Sequence, residues 1–333
     1  MKTCDRVILG VCLAAVVAAL LTSCKSPLPA DRVYLYLVNI EPDELVVVDP
    51  LVKEDILARF NVGANLRSIA VLPDGKTAYI ASEVTGFLTK FDLEHARVLK
   101  NYNIKGFPQK IVPHPTQPFL YMIVGDPEAV ETKEITVLNT DTREITTKIP
   151  VRDLLKDIKI SPDGRWLYAV SAKSTTVFAI DTESNRVDPA HSFELSHTSS
   201  AFDISPDGTF LVFTFNLSDV LEIVDAETGK SVRSLKVGSL PAYVAISPDG
   251  KLAYVANMRS QDVDIVDLTT YQMSGTIHFE TTPVLLRPAT KYLYVGVQNG
   301  FLFVADPATK EIIKKINLRS TPVDMAIRFP EKG

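Results

Sequence analysis

The chain has 333 residues, with 35 Lys and Arg against 40 Asp and Glu, a formal net charge of −5. No basic run exceeds Lys314-Lys315, so the cationic face that releases counterions from nucleic acid is missing, and nucleic acid is excluded as an expected partner. The three cysteines are Cys4, Cys12 and Cys24, which leaves residues 25–333 without a thiol for a disulfide framework or a soft metal.

In chain order, Met1, Lys2 and Arg6 precede an uncharged apolar run from Val7 to Leu21, which ends at Leu21-Thr22-Ser23-Cys24. As a helix this run spans roughly 22 Å, short of the ~30 Å hydrocarbon core, which favours a cleaved export signal over a permanent membrane helix. An ordinary secretory signal or an uncleaved anchor is the alternative, and the position of the cysteines disfavours both. Leu21-Thr22-Ser23-Cys24 resembles the lipobox of bacterial lipoproteins. That resemblance implies a signal peptide at residues 1–23 and a diacylglyceryl group on Cys24, whose two chains suffice for stable anchoring. Residues 24–31, with Pro27 and Pro29, then read as a stiff tether. The membrane is thus an expected partner, through the lipid on Cys24, and the cell envelope the expected location. Lys25 and Ser26 lack the aspartate that tends to retain enterobacterial lipoproteins at the inner membrane, which favours the outer one.

From residue 32 a phrase recurs: Leu72-Pro73-Asp74-Gly75, Ser161-Pro162-Asp163-Gly164, Ser205-Pro206-Asp207-Gly208 and Ser247-Pro248-Asp249-Gly250, with weaker forms at His114-Pro115 and Arg287-Pro288. Proline pre-sets φ and glycine tolerates positive φ, so these are hairpin turns. Apolar, β-rich segments such as Trp166-Leu167-Tyr168-Ala169-Val170 follow them and predict strands. A second landmark, a hydrophobic stretch ending on Asp49, Asp92, Asn139, Asp181, Asp225, Asp267 or Asp306, recurs every 39–47 residues. Seven units of this period predict an all-β, seven-bladed β-propeller over residues 32–333, with four-stranded antiparallel blades. The segment at Arg32 begins on a second-strand pattern, whereas Pro322-Val323-Asp324-Met325-Ala326-Ile327 repeats the first-strand pattern of Pro241-Ala242-Tyr243-Val244-Ala245-Ile246. Pairing these two segments closes the ring and removes exposed edges. Tyr254-Val255-Ala256-Asn257 and its flanks resemble the YVTN-type β-propeller repeat of bacterial and archaeal surface proteins, a resemblance that implies the fold and leaves function open.

Signatures of chemistry are sparse. There is no Cys-x-x-Cys-His, which argues against covalent haem and a redox role of that kind, and no P-loop, Gly-x-Ser-x-Gly elbow or His-Glu-x-x-His. No cofactor, metal or catalytic residue is expected. His191 and His197, flanking an expected outer strand, are read as surface residues, and the strand-end aspartates as turn-makers that accept from local amides. Candidate ligand-binding residues come from the segments entering the inner strands at the channel mouth: Arg67, Lys110, Lys156, Asp157, Asp203, Tyr243 and Asp324, with Ser68, Gln109 and Ser200 beside them. The favoured reading is a lipid-anchored scaffold for a protein or a small polar ligand. The alternative is a lactonase-like hydrolase, which some propellers with similar repeats resemble, with base and carbonyl-polarising groups drawn from Asp157, Asp203, Lys110 and Arg67.

Overall fold

The computed structural model describes residues 27–53, 55–125 and 134–329; the expected signal peptide and Cys24 lie outside them. Among the described residues every regular element is a strand, and the 28 strands form seven four-stranded antiparallel sheets. This is the predicted seven-bladed propeller.

The turn chemistry explains why the repeats fold as hairpins. Ser161 Oγ donates to Asp163 Oδ1 and accepts from Trp166 N (2.9 Å), while Gly164, at φ +79°, returns its N–H to Ser161 O (2.8 Å). Ser205 with Asp207 and Ser247 with Asp249 repeat the device. In the third blade His114 replaces the serine, and its Nδ1 accepts from Thr116 N (3.2 Å) and Gln117 N (3.0 Å). Its ring then packs on the next blade, so close that a Cβ on Gly164 would lie 2.4 Å from His114 Cε1. The strand-end residues are turn-makers as well: Asp181 Oδ1 accepts from Ser184 N (2.7 Å), Asp225 Oδ1 from Thr228 N (2.8 Å) and Asp267 Oδ1 from Thr270 N (2.9 Å). The hydroxyls of Ser184, Thr228 and Thr269, which donate to the same oxygens, hold the three carboxyls below the usual aspartate range together with these amides. His191 sits inside β15 (Arg186–Glu194) rather than beside it, its ring tilted against Trp166 and bonded to Asp188; among the described residues no group of three or more His, Cys, Asp or Glu is placed to hold a metal ion.

Seven inner strands line the channel: β4 (Leu66–Val71), β8 (Phe107–Pro113), β12 (Leu155–Ile160), β16 (Ala201–Ile204), β20 (Pro241–Ile246), β24 (Pro283–Pro288) and β28 (Thr321–Arg328), each touching the next. β28 pairs with β1 (Tyr34–Ile40), with Leu37 opposite Met325, so the first blade joins the two ends of the described chain. Between blades the facing apolar residues interdigitate; Phe213, Phe215 and Phe303 are buried in such interfaces. Met325, fully buried, packs against Leu35, Leu37 and Leu285 across the seam between the first and last blades.

Met325→Ala is therefore expected to cost about 2–5 kcal/mol in denaturant unfolding. Deletion of residues 321–333 removes the first blade's inner strand, and the expected result is loss of the soluble, cooperatively melting form, read by sedimentation and calorimetry; an unchanged melt would contradict the observed closure.

Candidate functional site

The site follows from strand register. In six of the seven inner strands one residue is bulged out of the ladder near the start: Arg67, Gln109, Lys156, Ala242, Val284 and Val323. After the bulge regular alternation resumes, and positions two apart share the channel face. One tier of equivalent positions thus contains Ser68, Lys110, Asp157, Tyr243 and Asp324, and the tier two residues further along contains Lys159, Asp203 and Arg287.

These side chains make an ion-pair girdle across the channel. Lys110 Nζ stands 3.6 Å from Asp157 Oδ1 and 4.0 Å from Asp324 Oδ2, Lys159 Nζ 2.9 Å from Asp203 Oδ1, and Arg287 Nη2 3.5 Å from Asp324 Oδ1. Asp324, almost fully buried, also accepts from Ser68 Oγ (2.9 Å), Ile69 N (3.1 Å) and its neighbour Met325 N (2.8 Å). Burial would raise its carboxyl, but Lys110, Arg287 and these amides hold it below the usual range. Burial would likewise depress Lys110 and Lys159; the carboxylates of Asp157 and Asp324 lift the first above the ordinary lysine value, and those of Asp203 and Asp157 lift the second.

Above the girdle lies a cavity of about 740 Å³, the size of a small-molecule site. Its floor is Lys110, Lys159, Asp203, Tyr243, Arg287 and Asp324; its wall is apolar, including Ile69, Val112, Ile160, Ile204 and Ile327, and its rim carries Pro73, Pro115, Pro162, Pro248 and Phe329. Two sequence expectations need correction. The cavity opens where the inner strands end, through the proline turns, and not where they begin. Arg67, Gln109 and Lys156, at the bulges, do not line it: Arg67 Nε pairs with Glu83 at 2.7 Å, Gln109 Nε2 donates to Glu83 at 2.8 Å, and Lys156 Nζ donates to Ser199 O at 3.2 Å. Ser200 is also absent from the lining, its Oγ accepting from Asn216 N (2.8 Å). Asp157 stands in the girdle beside Lys110, and Lys110, Asp203, Tyr243 and Asp324 form the floor with Lys159 and Arg287, which sequence reasoning missed. The signal for Lys159 was available, two residues beyond Asp157; that for Arg287 was displaced by one position, because Pro288 ends the strand and the turn begins at Ala289.

Fold and site define a closed seven-bladed propeller with one channel end shaped as a ligand-sized bowl. The chain belongs to the cytochrome D1 heme domain family, whose model matches residues 16–324. Among solved structures it is similar to dihydro-heme d1 dehydrogenase NirN in complex with DHE, at 15% identity and a TM-score of 0.70, covering 93% of this chain and 78% of that one. It is also similar to Kuenenia stuttgartiensis hydrazine synthase, at 20% identity and a TM-score of 0.67, covering 80% of this chain and 91% of that one. At such identities the likeness is one of fold. In sequence, the seven-bladed beta-propeller protein Rv1057 of Mycobacterium tuberculosis is 27% identical over 127 residues, 36% of this chain and 32% of that protein. Antigen Lp49 of Leptospira interrogans is 25% identical over 213 residues, 57% of this chain and 44% of that protein. The chain therefore spans less than half the length of these curated relatives.

The family raises the question of a haem. The missing Cys-x-x-Cys-His bears on covalent attachment alone, so the lining has to answer. Among the described residues no His, Cys or Met lines the bowl. His114 is committed to its turn, and the remaining side chain there of a type known to hold haem iron is the phenol of Tyr243. The bowl therefore does not fit an iron held by imidazole, thiolate or thioether.

Asp324→Asn breaks a buried charge pairing on two sides and is expected to cost about 3–5 kcal/mol at neutral pH. The contribution of the depressed Asp324 carboxyl is complete above its unfolded value of about 3.9 and is lost as pH falls through the lower folded value. That of the raised lysines is complete below about 10.4 and is lost as pH rises through their folded values. The part of wild-type stability owed to these groups should thus be constant between these limits, while His114, whose imidazole burial pushes down, withdraws its own contribution as pH falls below about 6.5. The variant should start lower and lack the Asp324 part of the acid-side loss, as read by urea melts across pH.

Proposed function

We propose that this protein is a lipid-anchored binding propeller of the bacterial cell envelope, whose central bowl takes a small molecule bearing a carboxylate or similar anionic oxygen group. The observation that carries the reading is a surplus of donors on the floor. Among the described residues Lys110 Nζ makes no hydrogen bond, its nearest carboxylate oxygens lying at 3.6 and 4.0 Å, and the buried Nε of Arg287 has no partner. The carboxylates opposite are largely occupied: Asp324 by Ser68 and two backbone amides, Asp203 by Lys159 and Ile246 N (2.8 Å). An entering anion would find unused N–H groups at the bottom of an apolar well, where hydrogen bonds to charged groups are worth most.

The lipobox-like Leu21-Thr22-Ser23-Cys24 supports the anchor and a location outside the cytoplasm, the outer membrane being favoured by Lys25 and Ser26. The scaffold reading is preferred to the lactonase-like one because both candidate bases are engaged, Asp203 by Lys159 and Ile246 N and Asp157 by Lys110 and Ile158 N.

Calorimetric titration with a panel of small carboxylates, lactones and tetrapyrroles tests this. The expected outcome is binding of a carboxylate without turnover, weakened about 10- to 100-fold by Lys110→Met, the equivalent of about 1.5–3 kcal/mol for a hydrogen bond to a charged group. Lactone hydrolysis lost with Asp157→Asn or Asp203→Asn would favour the hydrolase, and an iron-ligation band abolished by Tyr243→Phe would favour a haem. For the anchor, mass spectrometry of the mature terminus should show a diacylglyceryl group that Cys24→Ala removes.

A further inference from the structure

The approach of the tether to the propeller has a defined side. Leu28 N donates to Glu94 O (2.7 Å), and the Leu28 side chain packs on the core between the first two blades. The adjoining Leu93 N donates to Lys76 O (2.8 Å), in the hairpin turn that begins at Pro73. Pro73 lines the bowl, so the tether lands on the face where the bowl opens. On that face Phe329, following the closing inner strand, leaves 49% of its surface exposed beside the cavity.

Distance decides which face can meet a surface attached at Cys24. Four residue-to-residue steps lead from Cys24 to Leu28, at most about 14 Å of extended chain. A six-residue inner strand such as β4 spans about 20 Å from one face to the other. A tether shorter than the thickness of the disc, and fixed to one face, cannot bring the opposite face to the bilayer.

We infer that the proline-turn face, with the mouth of the bowl, lies against a phospholipid bilayer. The inference rests on the lipid-anchor reading of Cys24. It selects the ligands that reach the site: molecules that gather at a membrane surface gain access along the gap, and the apolar rim of prolines and Phe329 meets the interfacial region rather than open water.

The full-length protein offers a direct test, since Cys4 and Cys12 precede the expected cleavage and the Cys24 thiol would be acylated, which leaves an introduced cysteine as the one labelling site. Gln117→Cys and Lys251→Cys place a fluorophore at exposed positions of proline-type turns in the third and sixth blades. Val84→Cys and Leu217→Cys place it on the opposite face, at hairpin tips exposed by 64% and 93%. The proteins are reconstituted in vesicles of phosphatidylethanolamine and phosphatidylglycerol that carry a nitroxide on a headgroup. Labels at 117 and 251 are expected to lose more than half of their fluorescence, and labels at 84 and 217 to keep most of it. Equal quenching of both faces, quenching of 84 with sparing of 251, or preferential quenching of 217 overturns the orientation. The mass of the mature terminus separates the two failures: an acylated protein with the wrong pattern refutes the orientation alone, and a protein without acyl mass refutes the anchor and the orientation together.

Discussion

The pairing of β28 with β1 is the constraint on which the rest of the structure depends. A four-stranded blade is curved, apolar on both faces and open at its edges, and it gains little by itself. Stacked in a ring, each blade buries its faces against two neighbours, and the ring closes because Asp324, Met325 and Ala326 find Val38, Leu37 and Tyr36 across the seam. The same pairing places Asp324 at the channel. Its carboxylate bonds to Ser68 and Ile69 of the second blade and faces Arg287 of the seventh, so the closing strand ties together both of its neighbours with one buried anion. Closure and site geometry share a residue, so what damages one is felt in the other.

The fold was legible because its determinants are local and repeated. Pro-Asp-Gly turns, strand-end aspartates and a 39–47-residue spacing each have a mechanism confined to a few residues, and the structure shows those mechanisms in hydrogen bonds of the Ser161 and Asp181 kind. Even the third unit, which departs from the pattern at His114, keeps its turn, because an imidazole nitrogen accepts the amides from the position where a serine serves the fourth, fifth and sixth blades. The site was legible only in part. A bulge leaves no mark in composition, yet it decides which of two adjacent residues faces the channel: of Lys156 and Asp157, or Gln109 and Lys110, the second of each pair reaches the girdle. Of the second tier the sequence pattern points to Asp203 alone; Lys159 and Arg287 lie beyond the strand starts, where one residue of register decides which side chain faces the channel.

The charge arrangement of the girdle has a physical logic of its own. Six ionised groups in a narrow channel would be costly to desolvate singly, and a balanced set of three cations and three carboxylates lets each neutralise a neighbour at 2.9–4.0 Å. Balance of charge is not balance of hydrogen bonds. Backbone amides satisfy the carboxylates, as Ile69, Ile246 and Met325 do; Arg287 Nη2 finds Met325 O, but its Nε and the Lys110 ammonium find no acceptor within hydrogen-bond distance among the described residues. The bowl is thereby left electrically neutral and rich in donors, a combination suited to holding an anion reversibly.

Membership of the cytochrome D1 heme domain family and a lining without imidazole, thiolate or thioether are compatible once the two kinds of position in an inner strand are separated. Residues such as Ile111, Ile158 and Leu286 face the inter-blade cores and are fixed by packing against neighbours. Among the channel tiers Lys110 and Lys159 face only carboxylates of other tier positions, so exchanging them leaves the blade cores in place, whereas Asp324 and Asp203 also accept backbone amides of the next blade and belong to the frame. The propeller can therefore keep its architecture while the chemistry at its centre is rewritten, and the function of this chain has to be argued from Lys110, Lys159, Tyr243, Arg287 and the aspartates around them, because the fold that carries them is indifferent to what they bind.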